Sequence, residues 1–198
     1  MTSKGLFIVI DGIDGCGSTT HSVLLFNYLK DRMFKVKLTK EPTNSMIGVI
    51  LRKMLRFDNI PPEVDALLFS ADRQLHSKEI QEYLDDGYIT ICDRYIDSTI
   101  AYQSSQGLPE EWLLELNKFV INPDLTIILD IEPEESLQRK NLENPEKFEN
   151  IEFLKKVRQK FLKRADKKGY IKIYSRINKD DVQTVIRVFV DKKINNGM

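Results

Sequence analysis

Eight consecutive residues, Gly12-Ile13-Asp14-Gly15-Cys16-Gly17-Ser18-Thr19, combine three glycines, a carboxylate and two hydroxyls. An apolar run from Leu6 to Ile10 precedes them, and a helical pattern follows. Strand, glycine-rich turn and helix form the setting of G-x-x-x-x-G-K-[ST]. There, successive backbone N–H groups and the helix N-terminus cradle phosphate. Residues 12–20 are therefore expected to hold nucleotide phosphates, with Thr20 completing the run and Thr19 offering its hydroxyl to Mg²⁺. Ser18 stands where the motif has lysine, and no cation lies between Asp11 and Thr20. A loop without its own ammonium must find positive charge elsewhere.

Two further segments could work with such a loop. In Ile89-Thr-Ile-Cys-Asp93-Arg94-Tyr95 an apolar strand ends in a carboxylate and a guanidinium. The carboxyl edge of a parallel sheet is where α/β folds bind ligands. Asp93 would act on the metal through water, and Arg94 could fork between phosphate oxygens; the plainer reading is a surface ion pair. On a long helical pattern, Phe69 and Arg73 lie four residues apart and share one face. Such a pair could stack on a base and bond its carbonyls. A core phenylalanine and an arginine paired with Asp72 or Glu79 fit the sequence as well.

The elements that must position these residues are legible from periodicity. Apolar runs predict strands at 6–11, 36–39, 89–92, 125–130 and 171–174, rich in Ile and Val as in sheets covered on both faces. Leu25, Tyr28, Leu29 and Met33 mark one face of a first helix, and Ile47, Ile50, Leu51 and Met54 a second. Pro61-Pro62 opens a helix over about 63–86 that Gly87 ends. Pro109 opens another carrying Trp112, Leu116 and Phe119, and Val182, Val185, Ile186, Phe189 and Val190 mark the last. Alternating strands and helices predict an α/β fold with a parallel sheet and right-handed crossovers.

Composition limits the alternatives. Thirty basic and thirty acidic residues balance, which argues against broad electrostatic binding to nucleic acid or a membrane surface. No apolar stretch approaches the roughly 20 residues of a membrane span, and no signal peptide is evident. Two cysteines, Cys16 and Cys92, are too few for a disulfide framework or a zinc site. The expectation is one cytoplasmic domain over residues 1–198, with a polar loop near 140–150 as a candidate lid.

In order and spacing, six segments resemble the thymidylate kinase family. They are Ile10-Asp-Gly-Ile-Asp-Gly15, Thr39-Lys-Glu-Pro42, Leu68-Phe-Ser-Ala-Asp-Arg73, Asp93-Arg-Tyr95 with Ser98-Thr99 and Ala101-Tyr102-Gln103, Asn122 to Asp130, and Glu146-Lys-Phe-Glu149. The resemblance implies a three-layer α/β/α P-loop kinase fold with a five-stranded parallel sheet. It implies transfer of a phosphoryl group from ATP to dTMP with Mg²⁺, in a homodimer. Residue by residue, Asp14 would meet the sugar 3′-hydroxyl, Phe69 would stack on thymine, and Arg73 would bond a base carbonyl. Ser98, Thr99 and Gln103 would lie at the acceptor nucleoside, and Tyr102 would occupy the space of a 2′-hydroxyl. Glu41 would lie near the acceptor phosphate, and Arg94 would bridge donor and acceptor. The departure at Ser18 suggests that lid cations, Arg139, Lys140 and Lys147, close over the ATP phosphates. Arg176 is a candidate for the adenine. A kinase for another nucleoside monophosphate or deoxynucleoside, or a nucleotide-binding regulator with impaired catalysis, remains open at this point.

Overall fold

The computed structural model describes residues 5–57, 59–139, 150–176 and 178–197. Strands β1 (Leu6–Gly12), β2 (Val36–Lys40), β3 (Ile89–Asp93), β4 (Leu125–Asp130) and β5 (Ile171–Tyr174) form one sheet of order β2-β3-β1-β4-β5. All four pairings are parallel. The central strand β1 is buried on both faces, with Phe7, Ile8, Val9 and Ile10 fully enclosed. That is why it reads as an unbroken apolar run. Its register sets Ile10 beside Asp93, which brings the glycine-rich turn and the Asp93-Arg94 segment to the same carboxyl edge.

Eight helices cover the described chain: α1 (Ser18–Asp31), α2 (Met46–Met54), α3 (Pro62–Asp85), α4 (Ile96–Ser105), α5 (Glu110–Leu116), α6 (Pro133–Arg139), α7 (Ile151–Lys168) and α8 (Lys179–Gly197). One face of the sheet packs under α1, α7 and α8 through residues such as Leu25, Phe161, Val182 and Ile186. Phe7, Val9, Ile80 and Tyr95 form a second cluster on the side of α3. The layered α/β/α arrangement is thus the expected one.

Three positions differ from the sequence reading. Met33 lies beyond the end of α1, at φ 63 and 90% exposed; Arg32 caps the helix and the chain turns there towards β2. Phe119, 75% exposed, follows the end of α5 at Leu116. Ile50 belongs to α2 but faces outward with Met46 and Val49, while Gly48 and Leu51 are buried. The apolar stripe of α2 is wider than its contact with the core.

Candidate active site

The turn after β1 is a built anion cradle. Gly15 and Gly17 adopt φ 77 and 97, conformations open to glycine and strained for other residues. A Cβ at Gly15 would come within 2.4 Å of the Ser136 carbonyl oxygen on α6, so backbone fills that side completely. Gly17 caps α1 without a side-chain acceptor, which leaves the first helical N–H groups for a ligand. Ile13 and Cys16 turn inward and are buried. Burial pushes the Cys16 thiol up to about 12. These two residues, like Gly12, anchor the loop and can present only backbone to a phosphate.

Asp93 and Thr19 meet at the end of β3. Thr19 Oγ1 donates to Asp93 Oδ2 at 2.5 Å, and Asp93 Oδ1 is buried without a partner. Both face a hollow of about 570 Å³ beside β2 and α3. Next to them Arg94 is held at φ 71 with its N–H donating to Ile10 O. Its guanidinium donates to Asp14 (2.6 Å), Ser98 Oγ (3.1 Å) and Gly12 O (3.2 Å) and lies over the Tyr102 ring. Burial works against its charge, but Asp14, Tyr102 and Asp11 around it together outweigh that cost and hold its pKa above the usual range. A non-glycine residue held at positive φ over a phosphate loop fits a functional constraint.

Asp11 underlies this arrangement. Its buried carboxylate accepts from Gly12 N (2.8 Å), Ser98 Oγ (2.6 Å), Ser98 N (3.1 Å) and Tyr95 N (3.2 Å). Burial nevertheless raises its pKa to about 7, against the pull of Arg94 and Ser98. Asp11 thereby fastens the start of α4, and with it Arg94, to the loop.

One cavity of about 650 Å³ runs from the loop to a second compartment. At the loop end it meets Gly15, Gly17, Ser18, Thr19 and Thr20; at the far end it meets Phe69, Thr99, Tyr102 and Gln103. Arg94 and Asp14 stand in its wall between the two. Arg73 is only 1% exposed. It donates to Glu41 (2.8 Å), Asn117 (2.8 Å), Thr99 Oγ1 (2.9 Å) and Tyr95 O (3.2 Å). His76 bonds the other Glu41 oxygen at 3.0 Å and Thr39 at 2.6 Å. Tyr102 OH accepts from Asp14 N at 2.9 Å, tying this aromatic to the loop. Gln103 is fully buried, with Oε1 unpartnered.

A sequence model of the thymidylate kinase family matches residues 10–186. The chain belongs to that family. It is 45% identical to a probable thymidylate kinase of Pyrobaculum calidifontis, across 83% of this chain and 85% of that one. It is 37% identical to a probable thymidylate kinase of Thermococcus gammatolerans, across 98% and 100%. The thymidylate kinase structure from Candida albicans superposes with a TM-score of 0.85 at 31% identity, covering 98% of this chain and 95% of that one.

Within this family member, the cavity gathers the loop residues and the expected acceptor residues around Arg94. Three of the expected residues are placed as follows. Asp93 faces the neighbouring hollow, where only Thr19 is shared with the main cavity. Arg73 lines the cavity, but its guanidinium donors are taken up by Glu41, Asn117, Thr99 and Tyr95 O. Arg176 pairs with Glu135 at 3.0 Å and is not a cavity residue. Lys140, Lys147 and the segment 146–149 lie outside the described residues. The structure adds residues that motif reading missed: Arg52, Leu55, His21, Ser175 and Lys179. Arg52 donates to the carbonyls of Pro42 (2.8 Å) and Thr43 (2.5 Å).

Proposed function

We infer that this chain transfers the terminal phosphoryl group of ATP to dTMP, giving ADP and dTDP. The observation that carries the reading is Arg94, a guanidinium held between a phosphate cradle and an aromatic nucleoside compartment in one cavity. The acceptor phosphate has a second pKa near 6, so it is already a nucleophilic anion at neutral pH. What the protein must do is bring two polyanions into line and neutralise them.

The loop amides of residues 12–20 bind the donor phosphates, and Arg94 spans donor and acceptor. Phe69 stacks on the thymine, Thr99 and Gln103 bond its polar edge, and Tyr102 fills the space a 2′-hydroxyl would need. Asp14 and Ser98 hold Arg94, and Asp14 also meets the 3′-hydroxyl. Arg73 and Glu41 act as a buried pair that orients Thr99 and shapes the acceptor end. Arg139 and Lys147 belong to a lid at about 139–150 that excludes water.

Mg²⁺ fits the Thr19–Asp93 pair. Both offer hard oxygens, and Asp93 Oδ1 is buried without a partner. No group of three acidic, His or Cys side chains among the described residues could hold a metal, but Mg²⁺ commonly takes few protein ligands and completes its shell with water and phosphate. Bound there, it would neutralise charge on the donor phosphates.

No helix among the described residues is long and apolar enough to cross a membrane, which suits a cytoplasmic enzyme of one domain. α2 and α3 pack together and leave Met46, Val49, Ile50, Leu67 and Leu75 exposed. That apolar surface supports a homodimer. The deciding experiment presents the common nucleoside monophosphates with ATP and Mg²⁺ and follows ADP release. dTMP should be the preferred acceptor; a preference for dCMP, or binding without turnover, would overturn the reading.

A further inference from the structure

The missing loop ammonium leaves a charge problem that the cavity itself answers. Five basic side chains reach it: Arg52, Arg73, Arg94, Arg139 and Lys179. The first three are engaged at the acceptor end or the centre. Arg73 is paired with Glu41, Arg94 with Asp14, and Arg52 with two backbone carbonyls. Among the described residues, Arg139 and Lys179 have no carboxylate partner; Arg139 donates only to Ser175 O, at 2.9 Å.

The fold places both cations at the loop end. Lys179 and Gln183 are one turn apart on α8 and share a face. The Gln183 amide oxygen lies 3.0 Å from His21 Nδ1. The His21 ring in turn lies under Gly17, where an added Cβ would be 3.4 Å from Cδ2. The chain of contacts Gly17–His21–Gln183 therefore sets Lys179 beside the first turn of α1. Arg139 is held at the same end by the turn after β5, through Ser175 O. The Ser175 hydroxyl, buried at this end, has no partner. A long, exposed lysine stem can swing its ammonium to a phosphate that a serine at position 18 cannot reach.

We propose that Lys179, acting with Arg139, supplies the positive charge for the donor polyphosphate that Ser18 does not. The cation that most phosphate loops carry within themselves is here delivered from the start of α8. This rests on the reading that the loop binds ATP. Asp180 and Asp181, which follow Lys179, sit in the first turn of α8, where they complement the helix dipole.

The test is calorimetric binding of ADP to the full chain and to three variants, with dTMP kinetics alongside. Lys179→Gln should weaken ADP binding and raise the KM for ATP at least tenfold, while the KM for dTMP stays within twofold. Lys179→Arg should remain within about threefold of the unsubstituted chain. Arg139→Gln should weaken ADP binding in the same direction. ADP affinity of Lys179→Gln within twofold of the parent overturns the proposal. So does an equal loss in Lys179→Arg, which would make shape rather than charge the cause. Absence of ADP binding by the parent chain would instead refute the reading of the loop.

Discussion

Arg94 and Asp14 form an ion pair of 2.6 Å in the wall of the cavity, joining the end of β3 to the glycine-rich loop. The pair sets one guanidinium in the cavity between its loop end and its Phe69 end, and the loop carboxylate holds it there. Positioned charge of this kind acts in the transition state without reorganisation.

Arg94→Ala should therefore lower kcat by about 10²–10³, the loss of about 2.7–4 kcal/mol typical when one positioned donor is removed. The far-ultraviolet circular dichroism should be unchanged. A coupled ADP-release assay with dTMP reads the first effect. Turnover within threefold of the parent would remove Arg94 from the reaction.

Glu41→Gln addresses the buried end of the acceptor compartment. Arg73 and Glu41 are 1% and 3% exposed and meet at 2.7 Å. Neutralising one partner leaves an uncompensated buried charge, which costs about 3–5 kcal/mol. Urea unfolding should show that loss, with the KM for dTMP raised more than the KM for ATP. An unaltered midpoint would mean that Asn117, Thr99 and Tyr95 O suffice to hold Arg73.

Asp11 gives a pH dependence with a definite sign. Its folded pKa of about 7 lies above the ordinary 3.8. The folded chain thus keeps a proton that the unfolded chain releases across that window. Stability from this group is fully present below pH 3.8 and is lost as pH rises through 7. Asp11→Asn cannot titrate. The stability of the parent minus that of Asp11→Asn should fall between pH 4 and 7. A difference that rises with pH would mean the four donors outweigh burial.

Cys16 and Cys92 are both buried, and burial raises both thiols above their usual range. Neither should react with a thiol-specific disulfide reagent at pH 8 in the folded chain, and both should react in denaturant. Rapid modification of Cys16 in the native chain would show that the loop opens far more than the cavity requires.

What the sequence disclosed, and what it withheld, follows from distance along the chain. β1 and β3 were legible because residues buried on both faces leave continuous apolar runs, and their parallel pairing then fixes Ile10 beside Asp93. The loop was legible because backbone strain writes itself as glycine. Arg73 was read from a neighbour four residues away, yet its partners Glu41, Thr99 and Asn117 lie 32, 26 and 44 residues off. No local pattern carries that. Lys179 was missed for the same reason: an exposed lysine near a turn has no signature until α8 is laid against α1. Met33 continued the helical period but fell beyond the cap, since periodicity does not mark where a helix stops.

The close approach of Gly15 to Ser136 seats the loop directly against α6. α6 ends at Arg139, which lines the same cavity as the loop. With 2.4 Å between a hypothetical Cβ and the Ser136 carbonyl, there is no slack at this joint. Any shift of the loop at Gly15 must therefore be shared by α6, since close-packed backbone transmits displacement. A single added methyl at Gly15 would have to push the loop and α6 apart.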